Sequence, residues 1–161
     1  MFNHLQAPPY PEAYRIFRAH CRSYLSTPQV KPTNTDDATQ SRTLKLPEGT
    51  TLVIPPQEKD YTSSGRKKHW IVCLFTSWHY GQRRSSPDVI LENTVLAVED
   101  FKRQLGQFKE SAEGEDKGSE RPGELWGCRF NAGLFGVPWE KTKGVLEEAG
   151  LEMTIVRPKE N

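Results

Sequence analysis

Residues Phe130-Asn131-Ala132-Gly133-Leu134-Phe135-Gly136-Val137-Pro138-Trp139-Glu140 constrain this chain more than any others, because they join a strand directly to a helix. Ahead of them, Leu125-Trp126-Gly127-Cys128-Arg129-Phe130 reads as a strand; after them, Pro138 to Ala149 reads as a helix closed by Gly150. Between the two, Gly133 and Gly136 permit positive φ and let backbone N–H groups face outward with no side chain in the way. A direct strand-to-helix connection of this kind belongs to an α/β architecture.

The chemistry of such a corner follows from its donors. The helix starts with Pro138 at a position where a missing N–H costs nothing, and its dipole adds partial positive charge where the loop amides converge. A diphosphate is the natural ligand at the C-terminal end of a strand in an open α/β sheet. The candidate substrate-binding residues are therefore Phe130, Asn131, Ala132, Gly133, Leu134, Phe135, Gly136 and Val137, with Phe135 placed to meet a sugar or base. On spacing alone, a tight strand-to-helix turn without a ligand is an equal reading.

The rest of the chain alternates helices and strands. Pro11-Glu12 suits a helix start, and Tyr14, Phe17, Cys21 and Tyr24 recur on one helical face, predicting a helix from about Pro11 to Leu25. Residues 27–41 collect Pro, Thr, Asn, Asp and Ser without periodicity and read as a loop insert. Gly49 to Ile54 reads as a short strand ended by Pro55-Pro56. His69-Trp70-Ile71-Val72-Cys73-Leu74-Phe75-Thr76 is a nearly continuous apolar run, the pattern of a central strand buried on both faces. From Ser86-Pro87-Asp88 onward, Ile90, Leu91, Thr94, Val95, Val98, Phe101 and Leu105 form the apolar stripe of a long helix. Residues 106–124 turn to Gly, Ser, Glu and Lys and read as a flexible charged insert. Leu151 to Val156 reads as a last strand. The whole, residues 1–161, is expected to form one domain.

Composition narrows the class of function. Lys and Arg nearly balance Asp and Glu, leaving a net charge of +1, so no global field draws the chain to nucleic acid or to an acidic membrane. The clusters Arg66-Lys67-Lys68 and Arg83-Arg84 read first as solvated loops, with phosphate contact as the other possibility. Cys21, Cys73 and Cys128 show no CxxC spacing and no apolar signal run opens the chain, which fits a reducing cytoplasm or nucleus. Cys73 and Cys128 are expected to act as small apolar groups within hydrophobic segments. His4, His20, His69 and His79 lack metal-ligand spacing, so no metal and no cofactor is expected. None of the cysteines is followed six residues later by Arg, as a cysteine phosphatase requires. His79, just beyond the apolar run, is the one candidate proton donor or acceptor, although a loop histidine without a chemical task accounts for it as well.

Two blocks resemble a known family. Trp70 to Ser77, followed by Gly81 and by Ile90-Leu91-Glu92-Asn93-Thr94, is similar to macrodomain proteins of the fungal ADP-ribose 1''-phosphate phosphatase type. Asn131 to Glu140, with Thr142 and Val145-Leu146-Glu147, resembles the second phosphate loop and following helix of that branch, and Pro11-Glu12-Ala13-Tyr14 resembles its first complete helix. The resemblance covers most of the chain from Pro11 to Pro158, apart from the two inserts.

The resemblance implies a three-layer α/β/α fold with a mixed sheet, ADP-ribose lying across the strand ends, and hydrolysis of the terminal phosphate of ADP-ribose 1''-phosphate, a by-product of tRNA splicing. A non-catalytic ADP-ribose-binding module and a protein ADP-ribosyl hydrolase would use the same pocket. The family's N-terminal strands and its first Asn- and Gly-rich loop have no counterpart from Met1 to Tyr10. An incomplete sheet is therefore expected, in a chain that is poorly stable, aggregation-prone, or completed by a dimer or another partner, and the catalytic residues are not placed by the resemblance.

Overall fold

The computed structural model describes residues 9–32, 41–44, 46–62, 65, 67–79, 81–114 and 122–157. In chain order these form α1 (Pro11–Ser26), β1 (Gln29–Pro32), β2 (Ser41–Leu44), β3 (Thr51–Ile54), β4 (Ile71–Leu74), α2 (Pro87–Gly114), β5 (Leu125–Gly127), α3 (Trp139–Glu148) and β6 (Met153–Ile155). Single 3-10 turns lie at Glu58–Asp60, Gly81–Arg83 and Gly133–Phe135. The fold class is α/β, as the alternation of periodicities predicts.

The described residues hold three two-stranded sheets, β1-β2, β3-β4 and β5-β6. The first is antiparallel and the last parallel, so both orientations occur. Strands of three or four residues support only short ladders. The residues of β4 are half-buried, and among the described residues it pairs with β3 alone. The parallel pair β5-β6 is joined through the Gly133–Phe135 turn and α3, the crossover that parallel strands require.

Two expectations change. Within the supposed loop insert 27–41, Gln29–Pro32 forms a strand with Gln29 opposite Leu44 and Val30 opposite Thr43. Gln29, Val30 and Thr43 are exposed, and neither four-residue sequence alternates apolar and polar residues in a way that announces a strand. In the supposed insert 106–124, α2 continues to Gly114, because Gln107, Lys109, Glu110, Ala112 and Glu113 are good helix formers whatever their polarity. Residues 115–121 lie outside the described residues.

Contacts group the chain into two compact units. The first comprises Met1–Leu46 and Leu52–Val72. In it, the Asp60 carboxylate caps α1, accepting from the N–H of Glu12 at 2.8 Å and of Ala13 at 3.0 Å, two first-turn donors that the helix itself cannot satisfy. The face of α1 that loses water runs through Ala13, Phe17, Cys21 and Tyr24; Tyr14, read as part of that face, is exposed, with Arg18 over its ring.

The second unit comprises Pro47–Thr51 and Cys73–Asn161. Its core is built on α2: Ile90, Asn93, Thr94, Ala97, Val98 and Phe101 are buried at helical spacing, together with Val137, Thr142 and Leu146. Val95, read as part of the stripe, is exposed, and the small Ala97 and polar Asn93 take the inward positions instead. Thr51 is fixed to this helix by three bonds: its N–H to Asp100 Oδ2 at 2.9 Å, its hydroxyl to Ala97 O at 2.6 Å, and its carbonyl accepting from Gln104 Nε2 at 2.8 Å.

Candidate functional site

The strand-to-helix corner forms as its sequence requires. Three left-handed residues lie within six positions: Asn131 at φ 63°, Gly133 at φ 64° and Gly136 at φ 75°. The segment closes on itself twice, with the N–H of Gly136 donating to Gly133 O at 3.0 Å and that of Val137 donating to Asn131 O at 3.0 Å. Phe130 and Trp139 meet edge to face across the two ends of the turn, their ring centroids 6.2 Å apart.

These closures divide the loop amides. Those of Phe130, Gly136 and Val137 are spent on carbonyls of the protein, so the expectation that the whole segment offers donors holds only in part. Among the described residues, the N–H groups of Ala132, Gly133 and Leu134 carry no hydrogen bond, and Gly133 and Leu134 are exposed. The next open donors are at the start of α3, where Pro138 occupies the N-cap rather than the first helical position and supplies no side-chain cap. An anion at this corner would meet loop amides and a helix N-terminus together.

Side chains of the same segment point to different tasks. Asn131 is buried, and its amide joins three elements. It accepts from the Thr76 hydroxyl at 2.8 Å and donates to Thr94 Oγ1 at 2.8 Å and, more weakly, to Thr142 Oγ1 at 3.5 Å. Val137 is also buried. Asn131 and Val137 therefore shape the loop from beneath, while Leu134, 84% exposed, stands at its tip. Phe135 is half-buried.

The end of β4 meets this corner through Thr76. Beyond it, Ser77 Oγ donates to His79 O at 2.7 Å and accepts the N–H of Ser85 at 3.1 Å. The His79 ring lies against Trp78, with centroids 5.2 Å apart. Asn93 supports the same strand end from α2, donating to Thr76 O at 3.1 Å and to Glu48 Oε1 at 3.3 Å. Cys128, expected to serve as a small apolar group, is exposed.

Several fungal proteins similar to this chain share one name. It is 51% identical over 154 residues to an ADP-ribose 1''-phosphate phosphatase of Neosartorya fischeri, covering 92% of this chain and 75% of that protein. Proteins of the same name from Aspergillus oryzae and Ajellomyces capsulatus are 50% and 44% identical, with 92% of this chain covered and 74% and 82% of theirs. The chain belongs to the fungal ADP-ribose 1''-phosphate phosphatase family. No family model matches it. Membership accounts for the coincidence of the Trp70–Ser77 and Asn131–Glu140 blocks, which the structure joins through the Thr76–Asn131 hydrogen bond of this phosphatase-family chain.

Two features of this site were hidden from sequence reasoning. Thr94 was legible as part of an apolar stripe and of the resemblance, and Thr142 only through the resemblance, yet both are hydroxyls that hold Asn131. Arg84 was read within the Arg83-Arg84 cluster as a solvated loop or a phosphate contact, and the fold brings it beside Gly136: a Cβ built on that glycine would lie 3.8 Å from Arg84 Nη2.

Proposed function

We propose that this chain binds ADP-ribose 1''-phosphate at the strand-to-helix corner and hydrolyses its terminal phosphate, as the names of its relatives describe for those proteins. Water adds to the terminal phosphorus, the bond from that phosphorus to the ribose oxygen breaks, and ADP-ribose and inorganic phosphate leave. The observation that carries the reading is the set of uncommitted amides at Ala132, Gly133 and Leu134 beside the uncapped start of α3. Fixed donors of this sort hold an anionic diphosphate without reorganising when it arrives.

The loop is suited to that work because its shape is set from within. The Asn131 side chain and the Val137–Asn131 backbone bond fix the turn, so binding energy is not consumed in ordering it. Incubating the purified chain with ADP-ribose 1''-phosphate and following both products tests the reading. Equal release of inorganic phosphate and ADP-ribose supports it. Binding of ADP-ribose with no phosphate release would instead make the chain a reader of that nucleotide.

A further inference from the structure

We propose that Arg84 is a specificity-determining residue of the corner, supplying the cationic fork that meets the ligand phosphate held by the Gly133–Gly136 turn. The inference rests on the functional reading above and adds to it the residue that recognises negative charge.

Geometry places the residue. The 3-10 turn Gly81–Arg83 leads into Arg84, whose N–H and Nη1 both donate to Gly81 O, at 3.3 and 3.2 Å. That side-chain bond directs the guanidinium back along its own turn and leaves Nη2 on the side of Gly136. A Cβ on Gly136 would sit 3.8 Å from Nη2 and 3.9 Å from Pro87 Cγ, so the glycine faces the segment from Arg84 to Pro87 at van der Waals distance.

Charge and satisfaction agree with the geometry. Arg84 is exposed, and among the described residues no carboxylate pairs with it, so its positive charge is uncommitted. Its neighbour Ser85 is buried, and the Ser85 hydroxyl has no hydrogen-bond partner among the described protein atoms. A buried hydroxyl without a partner is costly, and a ligand oxygen at the same turn would satisfy it. With Nη1 donating to Gly81 O, the remaining guanidinium N–H groups are the donors that a phosphate oxygen would meet, in addition to the open loop amides. Arg83 is exposed in the same turn but makes no described contact with Gly136, so it serves as the internal comparison.

Titrating ADP-ribose into the full chain and into Arg84→Gln, Arg84→Lys and Arg83→Gln tests the assignment, with circular dichroism confirming that each variant folds. Arg84→Gln is expected to weaken binding roughly ten- to hundred-fold, the range of one lost charged hydrogen-bonding partner. Arg84→Lys should recover part of that loss and keep the dependence on salt, while Arg83→Gln should stay within about two-fold of the parent. If the parent binds and Arg84→Gln binds equally well, or if Arg83→Gln loses as much, the assignment is overturned while the functional reading stands. A parent chain that does not bind ADP-ribose overturns both.

Discussion

Asn131 Nδ2 donates to Thr94 Oγ1 at 2.8 Å in the buried interior beneath the glycine turn. The Thr94 hydroxyl in turn donates to Ile90 O at 2.6 Å, so a helix carbonyl, a helix hydroxyl and a loop amide form one chain of bonds. Asn131 also sits at φ 63°, a conformation that asparagine tolerates better than most residues. Thus the residue that opens the loop serves two purposes: its backbone turns the chain and its side chain anchors it.

Replacing Asn131 separates these purposes. Asn131→Ala is expected to lose roughly 2–4 kcal/mol of stability, since the half-buried Thr76 and the buried Thr94 lose their bonds and alanine is strained at positive φ. Asn131→Gly should recover about 1 kcal/mol of that by relieving the backbone. Urea denaturation of the three proteins checks the order, and equal stability of the alanine and glycine variants would show that the backbone contribution is absent.

The acid limb of stability should involve Asp100. Burial pushes its carboxyl up, but the Thr51 N–H, the Arg103 guanidinium and the Gln104 amide more than offset this and hold it below the ordinary carboxylate value. A carboxyl with a depressed folded pKa contributes stability that is complete above its unfolded value, about 4, and is lost as pH falls through the folded one. Thermal melts of the parent should therefore decline below about pH 4, and Asp100→Asn should show a shallower decline. Parallel acid profiles for the two proteins would contradict this role.

A third expectation concerns the parallel pair. A Cβ on Gly127 would come within 2.7 Å of Met153 Cε across the β5-β6 register. Because the methionine end is flexible, Gly127→Ala should cost under about 1 kcal/mol, whereas Gly127→Val should cost about 1–3 kcal/mol by overfilling the same place. Calorimetric unfolding distinguishes them, and a valine variant as stable as the alanine one would mean that Met153 is not confined.

Local patterns made much of this structure legible. The helical face of Ile90, Thr94, Val98 and Phe101 follows from spacing, and so does the strand, turn and helix from Leu125 to Glu148, because those elements depend on neighbours close in the chain. What escaped depends on distant partners or on the absence of burial. The β1-β2 pair has no alternating pattern to announce it, and α2 passes Gly106 because composition averaged over a segment hides its helix formers. At the site, the φ of Gly133 and Gly136 could be read from residue type. The inward turn of Asn131 and the approach of Arg84 could not, since each is fixed by residues tens of positions away.

Calorimetric titration of ADP-ribose into the chain and into Gly133→Val tests the central claim most directly. A Cβ at Gly133 meets nothing within 4 Å, so the substitution acts through the strained left-handed backbone and through crowding of the open amides around it. The parent should bind, and the folded variant should bind at least about ten-fold more weakly, a loss of about 1.4 kcal/mol. Unchanged affinity in a variant shown by circular dichroism to be folded would contradict the account, because the loop amides would then not be what holds the nucleotide.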